Sequence, residues 1–364
     1  MAFVEPGFSK NQINKAGGIL VAPESHSTNE QEWAASVLAN WRACHGYPIN
    51  TFQATLRTKL KNGYGLTIVA QRLKRAPSIL AKLQRFPGMQ LARMQDIGGL
   101  RAVLSSMKMV RALEHDYRNS SFAHVLVNSK NYIDEPKDDG YRGVHLIYRY
   151  QNDRAPAYDG LSLELQLRTR RQHAWATAVE TMGTFLGQAL KSGQGEQQWR
   201  DFFAKASAAL AIIEGTAAVP GFEGRDRAAV FGDVAATEKR LKVLEKLQGF
   251  AIATDRITKV QGQGAYHLIT LDSSERTVTI RPYAVASLEQ ANIDYAQVEQ
   301  RTMAGENVEA VLVAAGPVTA LRKAYPNYFL DTQAFVAQMN IVMSEVTTLR
   351  ANGRLHRTAE RRKR

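Results

Sequence analysis

The stretch "LSLELQLRT", residues 161–169, constrains the fold more than any other. Leu161, Leu163, Leu165 and Leu167 alternate with Ser162, Glu164, Gln166 and Arg168, and strand side chains point to opposite faces with period two. The segment therefore reads as a strand with one packing face and one face of polar and charged groups. "GGLRAVLSS", "FAHVLVNS" and "GVHLIYRYQ" read as further strands, separated by a helical segment around 106–118 and by polar turns. Residues 29–45 place Trp33, Val37, Leu38 and Trp41 at helical spacing, and 66–84 reads as a second helical region interrupted by Pro77, both ahead of any strand. From Arg170 to Leu190, the recurrence of Trp175, Val179, Met182 and Leu186 predicts an amphipathic helix that covers the sheet. The fold class expected is α+β, a mixed β-sheet flanked by helices.

A chain of 364 residues exceeds the roughly 250–300 at which one hydrophobic core stops growing, so two domains are expected. A helix near 196–214 precedes "GTAAVPGFEGRDR", whose Gly and Pro content marks the boundary. The expected division is 1–218 for the first domain, 219–248 for a connecting helix, and 249–364 for a smaller α+β regulatory unit. In that unit "AYHLITLD" and "RTVTIRPYA" predict a hairpin, followed by a helix near 287–300, the strand "EAVLVA", and helices near 317–324 and 332–350.

No apolar run is long enough for a bilayer span, and the first 30 residues lack the continuous apolar core of a secretion signal. The single cysteine, Cys44, excludes an internal disulfide or a Cys-based zinc site. These features lead to the expectation of a cytoplasmic protein without a membrane partner. The net charge of +13 suits a partner that is a polyanion, although part of the excess sits in the terminal "RANGRLHRTAERRKR", where a solvated tail is the simpler explanation.

Three segments besides "LSLELQLRT" carry chemistry. In "MQDIGGLRAVL", Asp96 precedes a Gly-Gly pair that permits close approach of a ligand or backbone, and Arg101 follows on a strand. If that strand neighbours "LSLELQLRT", then Asp96 and Glu164 can share Mg²⁺ while Arg101 and Arg168 face phosphate, the arrangement of a Mg-nucleotide site; surface salt bridges account for the same residues taken alone. In "QRLKRAPS", Arg72 and Lys74 precede Ser78, which is placed to cap the helix that follows. In "PKDDGYRGVH", a Gly140 turn gathers Lys137, Tyr141, Arg142 and His145, groups suited to gripping phosphate and stacking on a base.

Taken in order, these segments resemble the synthetase domain of the RelA/SpoT family. Arg72, Lys74 and Ser78 match its R-x-K-x-x-x-S; Asp96 to Arg101 match D-I-x-G-[IL]-R; Pro136 to His145 match P-K-x-x-G-Y-[RQ]-x-x-H; Glu164 to Thr169 match E-[IL]-Q-[IL]-R-T; and His173 to Ala176 match H-x-W-A. The resemblance implies transfer of the β,γ-diphosphate of ATP to a ribose 3′-hydroxyl. Arg72, Lys74, Ser78, Arg101 and Arg168 would hold ATP, Asp96 and Glu164 would bind Mg²⁺, and Lys137, Tyr141, Arg142, His145 and Gln166 would bind the acceptor. The family commonly has Asn where this chain has Asp139, which leaves the acceptor open between tRNA and a free nucleotide such as GDP, GTP or an adenine nucleotide. The region before Arg72 is too short for the family's hydrolase domain, and His115 and Asp116 lack the partners such a site needs.

The C-terminal unit contains "KAYPNYFLD", in which Tyr325 and Tyr328 form a Y-x-x-Y pair around Pro326. Two tyrosines beside a proline often simply anchor a loop. The whole architecture nevertheless resembles the CapRel-type fused toxin–antitoxin proteins of anti-phage defence. This resemblance implies a toxic synthetase-like domain inhibited by its own C-terminal domain, released by a phage structural protein such as the major capsid protein, and acting on the 3′-CCA end of tRNA. A non-catalytic phage-sensing or RNA-binding module is the third alternative, and the Asp96–Glu164 pair argues against it.

Overall fold

The computed structural model describes residues 3–351 except 62, 65–66, 120–121, 187–189, 191–194, 254–265, 273, 276, 307 and 315–331. Three helices come first: α1 (Lys10–Val21), α2 (Thr28–Ala43) and α3 (Gly46–Lys61). The starts of α1 and α2 are written locally. Ser9 with Gln12, and Ser27 with Glu30, form capping boxes that satisfy amide donors of the first turn.

Strand β1 (Ile68–Leu73) and helix α4 (Ala76–Arg85) follow, where the sequence predicts a single interrupted helical region. The β-branched pair Ile68 and Val69 opens a strand whose backbone pairs antiparallel with β2 (Gly98–Leu104). Pro77 begins the helix rather than breaking it, because its fixed φ and missing N–H suit the first turn. Ser78 is therefore inside α4, and the N-cap position belongs to Arg75.

The remaining strands lie where the alternation puts them: β3 (Val125–Asn131), β4 (Val144–Arg149) and β5 (Ser162–Thr169), with α5 (Met107–Arg118) between β2 and β3. The sheet order is β1-β2-β5-β4-β3, and β2 runs parallel to β5 while the other neighbours are antiparallel. Gly99 lies opposite Glu164, and Gln166 lies opposite both Arg101 and His145. Leu163, Leu165 and Leu167 are buried in the main core with Leu100, Leu104, Leu146 and Phe52; each such burial contributes roughly 1.5–3 kcal/mol. Gly98 allows this packing, since a Cβ there would fall 2.9 Å from Leu163 Cδ2 and 3.1 Å from Ile49 Cδ1.

Helices α6 (Arg170–Leu186), α7 (Gln197–Glu214), α8 (Arg227–Leu241) and α9 (Val243–Ala253) form a second core. Residues 219–248, expected as a connection, are thus largely packed helix, with Val230, Phe231, Val234 and Leu247 buried. Beyond them β6 (Tyr266–Asp272), β7 (Thr277–Tyr283) and β8 (Val308–Ala314) make a three-stranded antiparallel sheet of order β7-β6-β8, partnered by α10 (Leu288–Met303). The last helix, α11 (Gln333–Ala351), leaves that sheet and buries Phe335, Val336, Met339, Val342 and Val346 among α6 to α9. The C-terminal chain is therefore shared between two packing units. Among the described residues no helix is long and apolar enough to cross a membrane.

Candidate active site

The polar face of β5 and the adjoining ends of β1 and β2 line a cleft of about 610 Å³. Arg72, Asp96, Arg101, Glu164 and Gln166 all border it, Glu164 and Gln166 as the alternation of β5 predicts, together with Gln71 and Glu180. Asp96 sits just before β2, and its carboxylate takes Lys74 Nζ at 2.8 Å and Lys82 Nζ at 3.0 Å. Burial pushes the Asp96 carboxyl up, but the two ammonium groups more than offset this and hold it below its usual range.

Glu164 is bound from the opposite side. His145 Nδ1 lies 2.7 Å from Glu164 Oε1, and Gln166 Nε2 donates to Glu164 Oε2 at 2.6 Å. Burial alone would raise the Glu164 carboxyl; His145 and the Gln166 hydrogen bond bring it down to about 2. Burial opposes a charged imidazole, yet the Tyr141 oxygen and the Glu164 carboxylate raise the His145 pKa above its ordinary value.

The chain of contacts continues outward. Tyr141 Oη is 2.5 Å from His145 Nε2, and Arg168 Nη2 donates to Tyr141 Oη at 2.6 Å and to Gln166 Oε1 at 2.8 Å. Burial would raise the Tyr141 pKa, but Arg168 and His145 lower it. The turn behind Tyr141 is built by its sequence. Gly140 adopts φ +89°, a Cβ there would meet Ser207 Cβ at 2.8 Å, and Asp139 Oδ1 accepts from the Tyr141 amide at 2.9 Å. The Tyr141 ring borders a second, mainly apolar pocket of about 420 Å³ with Asp139, Trp175, Val179, Arg200 and Phe203. Lys137 Nζ stands 5.3 Å from the Tyr141 ring centroid and 4.6 Å from that of Tyr132.

Most of the sequence-derived site thus converges, with two departures and two residues out of view. Arg142, expected at the acceptor, is buried in the protein interior: its Nη1 pairs with Glu214 at 2.8 Å and bonds Thr216 Oγ1, while its Nε bonds Ser207 Oγ. Two side chains at 1% and 2% exposure form this pair, so Arg142 ties the turn to α7 and borders neither pocket. Ser78 lies in the first turn of α4 and does not border the cleft. Tyr325 and Tyr328 lie outside the described residues.

The structure adds Lys82 and Glu180. Lys82 follows Ser78 by four residues, one helical turn, and that spacing was a readable signal. Glu180 follows Trp175 on a helix whose apolar stripe drew attention to packing.

The donor set can be tested for Mg²⁺. Asp96 and Glu164 are hard oxygen ligands bordering one cleft, and both carboxyl groups are held in the charged form. Mg²⁺ binds through one or two carboxylates plus substrate phosphates. The residues fit such an ion.

Comparison with known proteins agrees on the segment that carries the cleft. The family described as "Region found in RelA / SpoT proteins" matches residues 71–183. The chain is 31% identical over 120 residues to GTP pyrophosphokinase YjbM of Bacillus subtilis (strain 168), a match covering 32% of this chain and 56% of the relative; the chain thus spans about half the length of that curated relative. Among solved structures, it is similar to the small alarmone synthetase 1 of Bacillus subtilis bound to its product pppGpp, with 22% identity, TM-score 0.41 and coverage of 51% of this chain and 94% of that one. A GTP pyrophosphokinase family protein from Streptococcus pneumoniae gives 19% identity, TM-score 0.40 and coverage of 56% and 98%. Residues 71–183, which hold most of the charged side chains that border the cleft, are thus similar to the region found in RelA / SpoT proteins.

Proposed function

We propose that this chain is an ATP-dependent pyrophosphokinase that transfers diphosphate to the 3′-CCA end of tRNA, restrained by its own C-terminal residues until a phage structural protein binds. The observation that carries the transferase reading is the meeting of Asp96 and Glu164 with Arg72, Arg101 and Arg168 around one cleft and its edge. In the reaction, the acceptor 3′-oxygen forms a bond to the β-phosphorus of ATP, the bond from that phosphorus to the α,β-bridging oxygen breaks, and AMP leaves with the bridging oxygen. The hydroxyl proton is released as the new bond forms.

Transfers of this kind depend on positioning and charge neutralisation more than on a strong base. That suits Glu164, whose pKa of about 2 makes it a weak base but a dependable anion. Mg²⁺ held by Asp96 and Glu164 would neutralise charge on the phosphates. Lys74 and Lys82, now paired with Asp96, are the ammonium groups placed to hold the triphosphate. Arg101 and Arg168 offer planar donors to phosphate oxygens. Tyr141 presents its ring to the apolar pocket as a platform for the acceptor base. Lys137 and His145 flank that ring. The net charge of +13 favours a tRNA acceptor.

A second reading, synthesis of alarmones from free GDP, GTP or adenine nucleotides, is favoured by the likeness to a GTP pyrophosphokinase. Restraint by the C-terminal unit rests on Tyr325 and Tyr328, whose rings and hydroxyls suit a plug for a charged pocket. Replacing both by Ala is expected to make the protein toxic to cells without phage; normal growth together with an inactive purified protein would remove the plug.

The acceptor is tested with γ-labelled ATP, tRNA and each nucleotide, using the full chain with and without the Tyr325→Ala/Tyr328→Ala change. Label in tRNA supports the first reading. Label only in nucleotides moves the assignment to the second, and no transfer by either protein removes both. The full chain is needed because α11 belongs to the core of α6 to α9.

A further inference from the structure

The C-terminal sheet unit meets the segment that carries Lys74 through a buried ion pair. Arg42 on α2 pairs with Glu299 on α10 through both oxygens, Nη1 to Oε2 at 2.5 Å and Nη2 to Oε1 at 3.1 Å. Arg42 Nη2 also donates to Tyr295 Oη at 3.0 Å, and Tyr295 Oη donates to Glu299 Oε1 at 2.8 Å. Glu299 Oε1 accepts the Ala76 amide at 3.0 Å, the start of α4. Arg42 Nε meanwhile donates to the Lys74 carbonyl at 2.9 Å. The turn from Lys74 to Ala76 is therefore held at both ends by one ion pair, and half of that pair belongs to α10. Arg42 and Glu299 are 8% and 5% exposed.

This polar contact is not an extension of a shared apolar core. Leu268, Tyr283, Ala291, Tyr295 and Ala310 form a cluster of their own, with no member from the five-stranded sheet or the helical block. A unit with its own core, joined through a polar interface, is the arrangement from which relative motion is expected. A buried ion pair adds little over apolar packing but fixes one partner geometry, and it fails sharply when one member is lost. Lys74, whose backbone this pair grips, is the residue whose ammonium sits on Asp96.

We infer that Arg42, Tyr295 and Glu299 form a latch through which α10 restrains the Lys74–Ala76 turn, so that release of α10 frees the turn to engage the donor triphosphate. The inference rests on the nucleotide reading of the cleft. It differs from a plug: the latch acts on the backbone behind the site, and it needs no residue of the C-terminal unit inside the cleft.

The test uses the full chain as wild type, Glu299→Ala, Glu299→Gln and Asp294→Asn. Asp294 is also on α10, in the exposed pair with Arg281, and serves as the control. Two readouts are taken: amide hydrogen exchange over 74–80 and 288–303, and transfer of label from γ-labelled ATP. Glu299→Ala is expected to raise exchange in both segments together and to raise transfer tenfold or more, with Asp294→Asn unchanged in both. Faster exchange confined to 288–303, or faster exchange in both segments with slower transfer, overturns the latch. If both segments open together but no variant transfers label to any acceptor, the pyrophosphokinase reading falls and the latch stands. Should Glu299→Ala fail to fold, Glu299→Gln carries the comparison, because it keeps the size and an acceptor for Ala76 while losing the charge; unchanged exchange in it overturns the latch.

Discussion

Two ion pairs whose cationic members, Arg142 and His145, lie three residues apart in one motif show how differently that motif can be used. Arg142 and Glu214 lie sealed between the turn and α7, at 1% and 2% side-chain exposure. Glu164, at 13% and paired with His145 at 15%, borders an open cleft together with Asp96. In the first pair each charge has a fixed partner and water cannot reach either. In the second, the same kind of charge sits where a metal or phosphate can exchange for the protein partner. Pairing is common to both; access from a cleft is what separates them.

Breaking each pair in turn tests that distinction. Glu164→Gln is expected to give the largest effect, a loss of transfer of roughly 10²- to 10⁴-fold, comparable with removal of a key polar group from an active site, in a protein that still folds. Asp96→Asn should behave alike. Near-wild-type turnover in either would place the chemistry elsewhere. Arg142→Met should do the reverse: stripping one member from a buried pair costs about 3–5 kcal/mol, read by chemical denaturation, and any activity lost should track the fraction unfolded. A stability within 1 kcal/mol of wild type, again roughly judged against that range, would return Arg142 to the acceptor site.

Tyr141→Ala is expected to weaken acceptor binding by about 1–3 kcal/mol, the worth of one stacked base, with ATP binding less affected. Equal losses for both substrates would show that the ring supports the Arg168–His145 chain rather than the base.

The smallest effect concerns pH. Glu164, depressed to about 2, contributes stability present above its ordinary value of 4.5 and lost as pH falls through about 2. His145, raised to about 9, contributes stability fully present below its ordinary value of 6.5 and lost as pH rises through about 9. The gap in thermal midpoint between wild type and His145→Gln should therefore be widest between pH 4.5 and 6.5 and close toward pH 9. A gap that widens above pH 7 would contradict the pairing.

Much of the cleft was legible because its strands carry strict alternation. Glu164, Gln166 and the leucines between them announce a face each, and neighbouring strands bring Asp96 and Arg101 beside them. β1 was not legible: "IVAQRL" runs directly into a helix begun by Pro77, and its mixed burial lacks a clean period. The inward turn of Arg142 was not legible, because an arginine beside Tyr141 looks the same in sequence whether it turns outward or into the core. Arg42, Tyr295 and Glu299 left no local signal at all, since Arg42 and Glu299 lie 257 residues apart.

The central claim is tested most directly by thin-layer chromatography of products from γ-labelled ATP, Mg²⁺ and tRNA or free nucleotides. The protein is the full chain carrying Tyr325→Ala/Tyr328→Ala, with and without Glu164→Gln. The account predicts label moved to an acceptor, with AMP as the other product, and loss of that label when Glu164 is changed in a protein that remains folded. Equal labelling with and without Glu164, or label that appears only as free phosphate, would contradict it.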